Sequence, residues 1–396
     1  MTLEIGMLGL AILVAVGILL HQPSKTLGIP SLLIFMGVGL AFGNGEFDFT
    51  YDNLGLTSLV GSIALNMIVF VGGLNTSTQS IRLAWREGGV LSSFGVLFTS
   101  IIFALLMHYL FAIDLLWCLL FAAVVSSTDA AAVFSILESK KLKLKENTDT
   151  ILEFESATND PVALLMVILL TDIIMSQGAG QTDAWSIATI LSQQIVVGIA
   201  MGGLLAWLSV VALNSIKLEE YGLIPVYVLA CFMMIMQSTE LLGGNVLIAL
   251  YIGGVVIGNS ISRGREVNKH FYNSLSWLAQ SLMFVILGLQ IFPQSLAEVF
   301  WVSLFPAVLL CVVARPLAVQ LCYLPFWRAS WRKRLFISSI GLKGATPIVF
   351  ALIPATAGVE GSMNMVHMVF FVVLFSVCVQ GSLIEPLAKK LDLVDK

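Results

Sequence analysis

Long apolar runs broken by short polar segments dominate this chain. A helix that crosses a bilayer needs about 20 mostly apolar residues. That window predicts thirteen spans, at 5–22, 28–43, 56–74, 88–108, 114–137, 149–176, 185–213, 221–239, 241–258, 272–291, 296–322, 334–357 and 363–388. The second is short, and only a brief polar break around Ser238–Glu240 separates the eighth from the ninth. The first run, Ile5 to Leu20, lacks the basic segment of a signal peptide and reads as a retained helix. The pattern predicts an all-α polytopic membrane protein. Residues 1–390 form its transmembrane domain and 391–396 a short cytoplasmic tail.

Composition agrees. Of 396 residues, 58% are hydrophobic and 11% charged, and the mean hydropathy is +0.97. Soluble domains carry about 25% charged residues, so a soluble fold is excluded, and nothing suggests nucleic-acid binding. The positions of the basic residues test the span count. The odd-numbered connections hold Lys25, Arg82, Arg86, Lys140, Lys141, Lys143, Lys145, Lys217, Arg263, Arg265, Lys269, Arg328, Arg332, Lys333 and Arg334. The tail adds Lys389, Lys390 and Lys396, so 18 of the 20 Lys and Arg residues lie on one side. The positive-inside rule makes that side cytoplasmic. A plasma-membrane protein is expected, of the bacterial inner-membrane kind, with its N-terminus outside and its C-terminus inside. The lysines of the longest cytoplasmic connection, ESKKLKLKENTD, read as an orientation signal and a lipid-headgroup contact.

Other features add little chemistry. Cys118, Cys231, Cys311, Cys322 and Cys378 fall in apolar runs without metal-ligand spacing and read as small core residues. His21, His108, His270 and His367 read as span ends or loops. Paired glycines such as 72–73 and 253–254 suggest close helix contacts. No nucleotide-binding motif or cofactor is indicated.

The two remaining basic residues, Arg315 and Lys343, fall inside spans 11 and 12. Three acids are equally deep: Asp129 in span 5, and Glu155 and Asp160 in span 6. Glu153 and Asp172 also fall in span 6, nearer its ends. An ionisable group at the bilayer centre costs at least about 2.5–3.5 kcal/mol, so ion or proton handling is the default reading. Ser156 and Asp160 are four residues apart and share a helix face, and Glu155 and Asn159 share the adjoining one. Pro161 removes a backbone N–H and frees the carbonyl of Ala157. Asp160, Ser156 and that carbonyl can supply part of the oxygen shell of a hard monovalent cation. Cation and proton both neutralise Asp160, and competition for one carboxylate is a minimal exchange mechanism.

Span 5 carries four consecutive polar residues, Ser126, Ser127, Thr128 and Asp129. Such a run favours local side-chain-to-backbone bonding over a regular helix. A break would expose carbonyls and let Thr128 and Asp129 complete the cation shell. With no Gly or Pro there, a regular helix in which Asp129 bridges to a neighbour fits as well. Gly341, Gly344 and Pro347 mark a break in span 12. If spans 5 and 12 cross, Lys343 would compensate either Asp129 or exposed helix-end dipoles. Arg315 keeps its proton and needs a partner. Glu155 is the best one, held bidentately in a structural pair.

Spans 1–6 and 8–13 form two sets of six that enter the membrane from opposite sides, with span 7 linking them. SSTD at 126–129 lies about as far into the first set as GLKG at 341–344 does into the second. Inverted repeats with interrupted helices at matching positions point to a transporter site near the midplane.

SSTDAAAVFSIL, FESATNDPVA, the Arg315-Pro316 step and GLKGATPI, in this order over nearly the whole chain, resemble the NhaP-type branch of the cation:proton antiporters. The resemblance implies an NhaA-like fold in a homodimer of thirteen-span protomers, with spans 5 and 12 unwound and crossing. A mobile six-helix core would slide against a dimer scaffold, in elevator fashion. It places the ion-binding aspartate at Asp160, a serine ligand at Ser156, and the unwound-helix threonine and aspartate at Thr128 and Asp129. Asp160, Ser156 and Thr128 then ligate the cation. Asn159 stands beside Asp160 in the cation- and proton-binding group and marks the single-aspartate branch, which exchanges one cation for one proton electroneutrally. The structural pair falls on Glu155 and Arg315. The chain departs from many members in reading Asp129-Ala130 for Asp-Pro, and Lys343 for an arginine. It looks closest to potassium-preferring members, which usually continue into a cytoplasmic regulatory domain, as a truncated or minimal form of them. Sodium, potassium and lithium all remain as substrates. A sodium-coupled organic-anion symporter of similar fold and a passive cation channel are the alternatives.

Overall fold

The computed structural model describes residues 9, 11–12, 14–19, 31–43, 51–129, 133, 142–176, 184–216 and 220–395. The expectations for Lys25, Lys140, Lys141, Lys217, Lys396, His21 and Ala130 lie outside the described residues, as do those for much of span 1 and the second half of span 5.

Helices follow one another along the chain: α1 Ser31–Phe42, α2 Leu54–Asn75, α3 Thr78–Phe111, α4 Leu115–Ser126, α5 Thr148–Ser176, α6 Ala184–Ser215 and α7 Leu223–Leu241. Then come α8 Val246–Ser260, α9 Arg265–Gln290, α10 Pro293–Leu309, α11 Arg315–Cys322, α12 Trp331–Ser339, α13 Thr346–Ala357 and α14 Ser362–Lys390. Among the described residues, eight continuous stretches are long and apolar enough to cross a membrane, and four shorter apolar helices accompany them. This is a multi-pass, all-helical membrane protein.

Helix starts in lipid need partners for their free N–H groups, and the sequence supplies them. Asn53, Asp114 and Asn245 accept from the backbone N–H of Leu56, Trp117 and Ile248 at 2.9, 3.0 and 3.0 Å, opening α2, α4 and α8. Ser77 and Ser330 do the same for α3 and α12. Three wide turns interrupt the regular winding, at Leu91–Gly95 in α3, Leu310–Ala314 between α10 and α11, and Ser376–Gln380 in α14. Each is a single π turn, which accommodates one extra residue in a helix.

Two apolar clusters organise the molecule. The larger draws on α1–α5 and α8–α14, and the smaller on α6–α9 with part of α2. Backbones touch at several crossings. A Cβ on Gly254 or Gly258 of α8 would strike the carbonyl of Phe70 or Leu74 in α2. One on Gly39 of α1 or Gly288 of α9 would likewise strike Val285 or Met36. Elsewhere α6 turns Trp185, Val196 and Trp207 outward, as a lipid-facing helix does.

Around the C-terminal residues and the start of α12 the structure corrects two readings. Lys145 is more than an orientation charge. Its ammonium lies 3.2 Å from Asp392, which Arg332 also approaches at 3.2 Å. These cations hold the Asp392 carboxyl below its ordinary pKa, the Lys145 hydrogen bond being the main cause. The backbone joins in: Lys145 N–H donates to Leu393 at 2.7 Å and Asp395 N–H to Lys143 at 2.8 Å. The tail thus clasps the connection that leads into α5. Lys333, counted above among the loop charges, is buried and pairs with Glu87 at 2.8 Å, where the Tyr323 hydroxyl also donates at 2.9 Å. Two smaller corrections concern Cys378, which is exposed, and His367, which lies buried within α14.

Candidate functional site

The site forms where two broken spans meet one continuous helix. Helix α4 ends at Ser126, whose hydroxyl turns back to Ala123 O at 2.7 Å, and Ser127 is extended (φ −59°, ψ 149°). The regular-helix alternative for 126–129 therefore fails. Polar side chains end the helix without Gly or Pro because neighbouring groups satisfy the freed backbone. The Lys343 ammonium donates to Ser126 O at 3.0 Å and Ser127 O at 2.9 Å. This is the second role considered for Lys343, compensation of a negative helix end.

Span 12 breaks as its glycines predict. Residues 340–345 separate α12 from α13, and Pro347 sits in the first turn of α13, where its missing N–H is harmless. The two breaks bond directly, Asp129 N–H to Leu342 O at 2.7 Å. Gly344 is required there, because a Cβ would run into the Asp129 carboxylate. From behind, the π turn of α14 holds the break. Ser376 accepts from Lys343 N–H at 3.0 Å and donates to Gln380 at 2.5 Å, and Gln380 donates to Ser339 O at 3.0 Å.

Helix α5 runs unbroken through Pro161. It carries Glu155, Ser156, Asn159 and Asp160, all buried. The Ser127 hydroxyl donates to Asp160 Oδ1, and the Thr346 hydroxyl also stands at this carboxylate. Thr128 Oγ1 lies 3.0 Å from Ser156 Oγ and accepts from Asn159 Nδ2 at 2.5 Å. Asn159 Oδ1 is buried without a hydrogen-bond partner. Asp160, Ser156, Thr128 and Asn159 thus share one polar cluster, while Asp129 lies beside it against the span-12 break. Among the described residues no Lys or Arg forms an ion pair with Asp160. The cluster offers a carboxylate with several neutral oxygens, the donor set of a hard monovalent cation.

Arg315 does pair with Glu155, through Nη2 and Oε1. The expected bidentate geometry is replaced by a single contact, leaving Glu155 Oε2 and Arg315 Nε without partners. The Nε edge is instead turned toward Gly341, where a Cβ would lie 3.1 Å from it.

The sequence reading left Ser127, Thr346, Ser376 and Gln380 out of the site. Ser127 belonged to the polar run already noted. The other three are neutral residues in apolar spans and carry no charge signal. Lys343→Met tests the scaffold. An unmet buried acceptor costs about 1–3 kcal/mol, partly offset here by relief of a buried ammonium. Thermal unfolding of the purified variant is expected several degrees below wild type. An unchanged midpoint would show that water or another donor serves these carbonyls.

The profile of the family described as "Sodium/hydrogen exchanger, transmembrane" matches residues 10–390. The chain is 37% identical over 380 residues to the K(+)/H(+) antiporter NhaP2 of Shewanella oneidensis, covering 96% of this chain and 66% of that one. It is 33% identical over 392 residues to the K(+)/H(+) antiporter NhaP of Alkalimonas amylolytica, covering 99% and 67%. The chain therefore spans about two-thirds of the length of these curated relatives. Its fold matches that of the sodium proton antiporter MjNhaP1 from Methanocaldococcus jannaschii with a TM-score of 0.84 over 99% of both chains, at 20% identity. With a buried carboxylate at crossed, broken helices and a family match over almost its entire length, this chain belongs to the transmembrane sodium/hydrogen exchanger family.

Proposed function

We propose that this chain is a secondary active antiporter that exchanges one monovalent cation for one proton, with Asp160 binding each in turn. The observation that carries this is the buried Asp160 carboxylate, which meets hydroxyl groups rather than a cationic side chain. An unneutralised carboxylate is unfavourable in such a place, so it holds either a proton or a cation. Ser156 and Thr128 supply neutral ligands, Asn159 orients Thr128, and Asp129 lines the break. Asn159 stands beside Asp160 where a second aspartate would add a charge, which supports 1:1 electroneutral exchange. A buried carboxylate ringed by neutral hydroxyls disfavours an organic anion.

Movement follows from the two clusters. The broken helices and α5 belong to the larger one, and sliding them against the smaller, built on α6 and α7, would carry the site across the membrane. Thirteen spans, a homodimer, a cytoplasmic C-terminus and a plasma-membrane location complete the proposal. So does one transmembrane domain over 1–390. Two details support the inverted repeat. The α3 and α10–α11 π turns fall in spans 4 and 11, which are equivalent positions. The glycine crossing of α1 with α9 pairs spans 2 and 10, and the repeat maps it onto α8 with α2, which are spans 9 and 3.

Proton-gradient dequenching in everted vesicles with potassium, sodium and lithium over a pH series tests the function. Potassium comes first, because two relatives carry K(+)/H(+) antiporter in their names. Dequenching with at least one cation and no net current is expected. Steady conductance without proton coupling would sink the proposal.

A further inference from the structure

A cavity of about 220 Å³ lies where α2 and α8 end and α9 begins. One water needs about 10–15 Å³ of such space, so a polyatomic guest fits. Arg265, Asn268, Lys269 and Tyr272 line it at the spacing of a single face of α9. Three features of this wall point to an anion. Helix α9 starts at Gly264 without a side-chain cap, so its first-turn N–H groups lack that partner. Arg265 and Lys269 form no ion pair among the described residues. Nor are they spent on the helix ends opposite. Thr76 Oγ1 donates to Gly72 O at 2.7 Å in α2, and Asn259 Nδ2 to Val255 O at 2.8 Å in α8. The third feature is Asn268. It is 5% exposed, and its side-chain Oδ1 is enclosed without a hydrogen-bond partner. That leaves Nδ2 as the end that meets the cavity, and an unmet buried amide is unfavourable. Glu266 adds one carboxylate to the lining, which still carries a net positive charge.

We propose that this cavity binds a phosphate group. The Arg265 guanidinium takes two of its oxygens, and Lys269 adds a point charge. Asn268 Nδ2 and the start of α9 donate to the rest. Glu266 favours a phosphate that carries a hydroxyl or an ammonium beside it. Bound there, the group ties α9 to the ends of α2 and α8. A lipid headgroup and a soluble phosphate share this chemistry, and basic pockets between membrane helices suit headgroups. Val267 and Phe271 of α9 are exposed nearby and offer an acyl chain an apolar strip.

Thermal unfolding of purified, delipidated protein tests this without any transport. Phosphatidylglycerol is compared with diacylglycerol of the same chains, and sodium phosphate with sodium chloride at equal ionic strength. A guest that binds only the folded state raises the midpoint in a saturable way. Phosphatidylglycerol is expected to raise it by several degrees and diacylglycerol to leave it almost unchanged. The rise should largely vanish in Arg265→Gln/Lys269→Gln, whose two side chains are exposed, so the variant keeps its fold. Asn268→Asp, which sets a carboxylate against the phosphate, should reduce it. Arg328→Gln/Lys390→Gln removes the same charge elsewhere and should keep it. A rise with sodium phosphate as well supports a soluble guest, and a rise with phosphatidylglycerol alone supports a headgroup. No rise with either phosphate source, an equal rise with diacylglycerol, or a full rise in Arg265→Gln/Lys269→Gln would overturn the site.

Discussion

Asp160→Asn is expected to abolish cation-coupled proton movement while leaving the protein folded. The amide keeps the size of the carboxylate, and its oxygen still accepts from Ser127, so the hydrogen bond that positions residue 160 survives. What disappears is the charge. A carboxylate and a cation 4 Å apart attract by about 4 kcal/mol at an effective dielectric near 20. Losing that weakens binding by roughly three decades. The amide also has no proton to exchange at physiological pH. Both halves of the cycle fail together, so dequenching should be silent for potassium, sodium and lithium at every pH. The thermal midpoint should stay within a few degrees of wild type, or rise, because a buried charge has been removed. Cation-dependent proton movement that persists in Asp160→Asn would remove this residue from the centre of the mechanism.

Arg315→Met should produce the largest loss of stability. Its guanidinium is held by Glu155 in a buried, single-contact pair. Removing one partner leaves the other charged and unmatched, which costs about 3–5 kcal/mol in buried pairs. The loss should appear as poor recovery of monodisperse protein and a much lower unfolding midpoint in detergent. Glu155→Leu combined with Arg315→Met removes both charges. Replacing a buried pair by apolar residues is often neutral or stabilising, so the double variant should regain most of the stability. The unsatisfied Glu155 Oε2 and Arg315 Nε sharpen the expectation, because the pair does not recover its full desolvation cost. A single variant as stable as the double one would mean that Glu155 finds a proton or another donor when Arg315 is gone.

These residues were legible because charge in a membrane span is conspicuous. Arg315 pointed to Glu155 across 160 positions on electrostatic need alone, and the glycines of 341–344 announced their break. The span-5 break was half legible, since its polar run allowed two outcomes and only Lys343, 216 residues away, decides between them. Ser376 and Gln380 could not be read in advance. Neutral polar residues are tolerated in many helix positions, and these matter only because a π turn aims them at a break 33–41 residues earlier. Lys333 misled for the opposite reason. It sits among real loop charges, and nothing local distinguishes it from them, although it is buried against Glu87.

The π turn at Leu310–Ala314 ends where Arg315 begins, and this gives the segment a tolerance to deletion that substitution does not reveal. Each residue in an α-helix turns the chain by about 100°, so losing one from regular winding would swing Arg315 away from Glu155. A wide turn already holds one residue more than regular winding needs. Deleting Val312 would turn it into an ordinary turn and leave Arg315 facing Glu155. Over evolutionary time, a residue can be lost in this turn while both buried charges are kept.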